Sequence, residues 1–173
     1  IRDRAILEVM YATGIRRAEL VSLAIYDIEM QTGTLRIEHG KGNETRLVPL
    51  TQSSVAALKL YLEVARPVFA SAPGQISLFV SSRSGGPLDV DDIRRIVRKW
   101  TKNAGIKKRI TPHTMRHSCA THLLKGKADI RQIQKLLGHR RLSSTEVYTH
   151  VELGDLAEVI SRCHPREKGS EKR

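Results

Sequence analysis

Cysteine, acid and long apolar runs are all in short supply here. The 173 residues hold two cysteines, Cys119 and Cys163, far apart and in no metal-like spacing. That excludes a disulfide framework or a thiolate metal site, and the pair read as reduced thiols of a cytosolic protein. No apolar run approaches the roughly 18 residues of a membrane span, and no signal peptide is visible. No cluster of ligating carboxylates is found, so neither a metal nor another cofactor is expected. Acids number 18 against 30 Lys and Arg, giving a net charge of +12 and a pI near 10.2. The chain begins at Ile1 with no Met and runs straight into helical periodicity, which reads as a fragment of something longer.

What the chain has is localised positive charge. From Arg94 to Arg141 there are 15 Lys or Arg and one acid, Asp129, so 48 residues carry half the bases. A run like this is either a solvated surface or the footprint of a polyanion. It spans several expected helices and carries no aromatic wedge, which sets aside an amphipathic membrane helix.

The periodicity predicts mainly α structure with a small antiparallel three-stranded β-sheet at one edge, an α+β class. Residues 1–13 have helical spacing (Ile1, Ala5, Val9, Ala12) until Thr13-Gly14 breaks it. A short helix follows through Arg17, Leu20 and Leu23. Ile25–Met30, Leu35–Glu38 and Leu47–Leu50 read as a meander of strands joined by short turns. A helix starts near Ser53 and is expected to stop at Arg66-Pro67. Residues 71–87 read as a loop anchored by Leu78-Phe79-Val80, and Asp89–Ala104 as a basic helix. Thr111 and Pro112 predict an N-cap and first helical position for a central helix reaching about Leu124. Asp129 caps a helix that closes at Leu137-Gly138. Ser143 and Glu146 have capping-box spacing for a short helix bearing Tyr148. Leu153–Ile160 reads as a last amphipathic helix.

Six residues are candidates for chemistry. His113 and Arg116, three apart on one helix face, put an acid–base group beside a phosphate-shaped fork of donors. A buried histidine with a surface arginine is the commoner meaning of such a pair. Arg16 reads equally as a helix-end partner of Glu19, and Lys41 as a solvated turn lysine between strands. His139 reads as the neighbour of a helix C-cap, and Tyr148 as a packing residue. Singly, none of these decides anything.

Their order and context do. The segments TGIRRAEL, GKGNETRLVPL, TPHTMRHSCATHLL, IQKLLGH and STEVYTHV resemble, in sequence, the signature blocks of the tyrosine recombinases. This is the phage integrase family, and the likeness is strongest to the Xer type. It runs from Ile1 to about Pro165 and implies a catalytic domain over 1–165 followed by a charged, disordered tail over 166–173. It also implies an N-terminal DNA-clamping, core-binding domain that this chain lacks.

The resemblance implies that Arg16 and Arg116 clamp a phosphate. Lys41 would protonate the leaving oxygen, His113 serve as general base or acid, and His139 hydrogen-bond the phosphate. Tyr148 would be the nucleophile forming a 3'-phosphotyrosyl link. Glu19 would hold an arginine in place, and His117 and His122 would serve structure. Arg140-Arg141, where relatives often have small polar residues, suggest extra phosphate contacts. The implied activity is metal- and ATP-independent recombination of double-stranded DNA sites. It would be carried out in the cytoplasm, away from membranes, by a homo- or hetero-tetramer joined through the C-terminal helix. A type IB topoisomerase and a non-catalytic DNA-binding regulator are the alternatives. The compact Xer-like blocks argue against the first and the intact set of six residues against the second.

Overall fold

A computed structural model describes residues 1–38, 45–70, 73–138 and 150–167. Helix α1 (Arg2–Thr13) ends at Gly14 in the left-handed region, φ 60. Helix α2 (Arg17–Ser22) follows. Strands β1 (Ile28–Glu29), β2 (Thr34–Glu38) and β3 (Thr45–Pro49) form an antiparallel sheet in the order β1-β2-β3. Helix α3 (Gln52–Leu60) runs through a π-turn (Tyr61–Ala65) into α4 (Arg66–Phe69). Then come α5 (Val90–Asn103), α6 (Pro112–Lys125), α7 (Ile130–Leu137) and α8 (His150–Cys163). The expected α+β class, with its meander at one edge, is what forms.

The core lies around α1, which packs on α3 and α6, while α8 lies against β3 and α6. Ile6, Met10, Leu58, Tyr61, Ile93 and Leu123 are among its fully buried side chains. On the core face of the sheet, Leu35 pairs with Val48 and Ile37 with Arg46, so a cation stands where the pleat calls for an apolar side chain.

Two expectations need correcting. The strand expected over Ile25–Met30 shrinks to Ile28–Glu29. A 3-10 turn occupies Ile25–Asp27, closed by Asp27 accepting the Ala24 N–H. The backbone before it pairs with the 76–78 loop through Ile25 N–H to Ile76 O and Leu78 N–H to Leu23 O. Pro67 does not stop the helix either. A proline ring clashes with the carbonyl four residues back and lacks the N–H for the regular bond. The π-turn, in which the Arg66 N–H reaches back five residues to Tyr61 O, widens the helix just there.

The last helix is longer than the expected Leu153–Ile160. Its Leu156, Val159, Ile160 and Cys163 are buried on the chain's own domain. Contacts continue beyond it: Arg166 pairs with Glu8, and Glu167 accepts the Gln52 N–H at 2.7 Å. Both cysteines are free and buried, as expected of reduced thiols. No helix among the described residues is long and apolar enough to cross a membrane.

Candidate active site

The site is built on the C-terminal end of α7. Asp129 starts this helix by accepting the Arg131 N–H at 2.7 Å, and Gly138 ends it at φ 65. The last carbonyls of any helix lack intrahelical partners and carry the negative end of its dipole. Here three successive ones accept from three arginines of different elements. Arg46 Nε donates to Leu136 O at 3.3 Å, Arg116 Nη2 to Leu137 O at 2.7 Å, and Arg16 Nη2 to Gly138 O at 3.0 Å.

One carboxylate serves two of them. Both oxygens of Glu19 take bonds from both arginines. Oε1 accepts from Arg16 Nη1 at 2.8 Å and Arg46 Nη1 at 3.2 Å. Oε2 accepts from the Arg16 backbone N–H at 3.0 Å and Arg46 Nη2 at 2.8 Å. Burial alone would raise the Glu19 carboxyl. The Arg46 and Arg16 bonds outweigh it and hold the group at about 2, so Glu19 is a fixed anion and no proton shuttle.

Arg116 has no such partner. It is half-buried on α6, and Nη1 donates to Gly14 O at 2.6 Å. No carboxylate pairs with it among the described residues. Burial, then the nearby charges of Arg16 and Arg46, lower it to about 10, still a cation at neutral pH. A guanidinium has five N–H donors. Arg16 and Arg116 each use two Nη atoms on protein oxygens. Donors remain on both, and among the described residues the cluster sets three guanidinium groups against a single carboxylate, which pairs with two of them, so the cluster suits a phosphate.

His113 lies in the first turn of α6, one turn before Arg116, as the spacing predicts. The burial is the reverse of the commoner arrangement, with the histidine exposed and the arginine half-buried. Glu19 does hold Arg16. His122 bonds through Nδ1 to the Tyr11 hydroxyl at 2.6 Å, a structural contact, whereas His117 is exposed. Lys41, His139 and Tyr148, with Arg140, Arg141 and the Ser143–Glu146 cap, lie outside the described residues. In the sequence Lys41 falls between β2 and β3, His139 follows Gly138, and Tyr148 precedes α8 by two residues.

Residues 1–153 match the phage integrase family. The chain belongs to this family. Tyrosine recombinase XerD of Chlorobaculum tepidum is 45% identical over 166 residues, covering 96% of this chain and 54% of that protein. Tyrosine recombinase XerC of Pelotomaculum thermopropionicum is 46% identical over 173 residues, covering 98% and 56%. The chain thus spans about half the length of the curated relatives it matches. The crystal structure of XerA recombinase superposes with a TM-score of 0.75 at 37% identity, over 95% of this chain and 58% of that one. XerH recombinase in a post-cleavage complex with a palindromic difH substrate gives 0.67 at 30% identity, over 92% and 45%.

In this phage integrase chain Arg46 belongs to the cluster without being among the six candidates that the sequence offers. The signal was available. Arg46 and Val48 alternate onto one face of a strand, and an arginine on a core face needs a buried acid. Glu19, on the short helix after Gly14, was the acid to match it with.

Proposed function

We propose that this chain is the catalytic part of a site-specific DNA recombinase. It cleaves and rejoins strands through a covalent 3'-phosphotyrosyl intermediate on Tyr148. The half-buried Arg116, oriented by two carbonyls and paired with no carboxylate among the described residues, carries the reading: its remaining donors suit an external anion.

The Tyr148 oxygen attacks the scissile phosphorus, and the bond to the 5' oxygen breaks. Arg16, Arg116 and His139 take the charge that builds on the two free oxygens, commonly the largest catalytic contribution. His113 acts as general base or acid, and Lys41 gives the departing 5' oxygen its proton. The phosphotyrosine keeps the energy of the broken bond, so the released hydroxyl of a second strand can reverse the step without ATP. Fixed cations supply the charge stabilisation that a metal ion would otherwise bring. The substrate is a double-stranded recombination site in the cytoplasm, bound by a homo- or hetero-tetramer. In the tetramer the C-terminal helix, docked on its own domain in the single chain, would dock on a neighbouring protomer instead, and the domain of the longer protein that lies outside this chain supplies site recognition.

The test uses a nicked duplex and a denaturing gel. Tyr148→Phe is expected to abolish the covalent adduct. Arg116→Ala is expected to slow adduct formation by about 10²–10³-fold while DNA affinity falls far less, because a clamp on developing charge acts in the transition state. Equal losses in cleavage and binding would make Arg116 an ordinary phosphate contact.

A further inference from the structure

We infer that Arg46 is a positioning residue for strand cleavage. Through Glu19 it sets both the orientation of the Arg16 guanidinium and how much of the Glu19 charge offsets it. The inference rests on the reading of Arg16 as a phosphate clamp. Arg46 is itself 3% exposed, on the core face of β3 opposite Ile37, so it acts through other groups and does not meet DNA.

Geometry gives the first half of the argument. Arg46 grips both Glu19 oxygens, at 3.2 and 2.8 Å, and its Nε is tied to Leu136 O at 3.3 Å. The carboxylate is therefore fixed relative to α7, the helix whose Gly138 carbonyl orients Arg16 Nη2. Glu19 in turn holds the Arg16 Nη1 and backbone N–H. Arg16 is pinned from two sides, and Arg46 braces both of them.

Charge gives the second half. Glu19 is ionised and carries one negative charge, shared between two guanidinium groups. Without Arg46 a larger share of that charge would fall on Arg16 and reduce the positive potential a phosphate needs. The carboxylate, no longer gripped by the Arg46 fork, would also hold Arg16 less firmly against Gly138. Stability does not require this arrangement, since buried ion pairs are often replaceable by apolar groups at no cost to stability.

The experiment measures single-turnover adduct formation and DNA affinity for the 173-residue chain. The probe is a nicked duplex chosen from a random-sequence pool by covalent capture on the wild-type chain. Arg46→Lys keeps the charge and loses the fork. It is expected to slow cleavage by roughly 10–100-fold, the usual scale for a residue that orients a ligating group, and to change DNA affinity by less than about threefold. On an Arg16→Ala background the same change should have almost no further effect, because its route of action is gone. A purely structural role would instead multiply the two losses and lower affinity with them, which overturns the inference. So does wild-type cleavage by a folded Arg46→Lys chain. If thermal unfolding shows Arg46→Lys unfolded at assay temperature, Arg46→Met/Glu19→Gln removes both buried charges and must still show a loss, through orientation alone, that disappears on the Arg16→Ala background. Wild-type cleavage by Arg16→Ala alone would sink the clamp reading itself, a separate outcome.

Discussion

At the scale of single residues, the site depends on one glycine that makes no chemistry. Gly14 ends α1 at φ 60, and its carbonyl accepts from Arg116. A Cβ there would stand 2.4 Å from Cδ2 of Leu137, a buried side chain. The α1 terminus and the α7 terminus touch through this gap, which lets one arginine bridge both. Gly14→Ala incurs the left-handed penalty of about 1–2 kcal/mol and a repacking cost of about 1–3 kcal/mol. It should also push Leu137, and hence the carbonyl under Arg116, out of register. Gly74 is the control, with φ 77 and nothing within 4 Å of its added Cβ. Denaturant unfolding should show Gly14→Ala losing clearly more stability than Gly74→Ala, and cleavage should fall only in the first. Equal stabilities would mean that the close approach to α7 is unimportant.

Elements were legible in the sequence where their signals are local. Asp129 and Gly138 bound α7 as read, Thr111-Pro112 opens α6, and the meander follows from its short turns. Ile25 was misread because its backbone is engaged by Ile76, a distant partner. Pro67 was misread because a π-turn absorbs it. Arg46 went unnoticed because its meaning lies in Glu19, 27 residues earlier.

The end of α8 is a further case of distant partners. Cys163 Sγ donates to Gly126 O at 3.0 Å, and His164 Nε2 bonds Tyr11 O at 3.2 Å. The carbonyl can only accept, so Nε2 carries the proton. Nδ1 accepts the Arg166 N–H at 3.2 Å, and protonating it would break that bond. Burial lowers the His164 pKa below 6.5, and His122 and Arg166 push it the same way. Glu8, which pairs with Arg166, is the acid beside this group, and Tyr11 faces the ring edge-on. The undocked tail therefore takes up a proton first. Docking is strongest above about pH 7 and weakens as pH falls through the ordinary histidine range near 6.5. Hydrogen exchange of the α8 amides should accelerate from pH 7.5 to 5.5, after correction for intrinsic rates, and His164→Gln should flatten that change. An unchanged pH response in His164→Gln would assign the effect elsewhere.

Over the whole molecule, the fold sorts a basic run that looks uniform in the sequence. Part of it is answered by acids. Arg94 pairs with Asp91 at 3.1 Å, Arg95 with Asp92 at 2.5 Å, and Lys99 with Asp3 at 3.6 Å. Such exposed pairs add little stability, but they cancel local potential on the first turns of α5. Beside and beyond them Arg98, Lys102, Lys107, Lys108 and Arg109 are all exposed and, among the described residues, form no ion pair. They run from the end of α5 into the loop before α6, the helix that presents His113 and Arg116. The unanswered charge thus leads to the cluster where the phosphate is proposed to sit. Each phosphate neutralised contributes about 0.9 to the slope of log affinity against log salt. Replacing Lys107, Lys108 and Arg109 together with alanine should lower that slope by up to about 3. Replacing Arg94 and Arg95 should change it far less, although they lie only about 13 residues further from His113 in the sequence. Titrations of a labelled duplex at several salt concentrations decide the matter. Equal slope changes from the two sets would show that the acids on α5 do not screen it, and that the whole run faces DNA as a single surface.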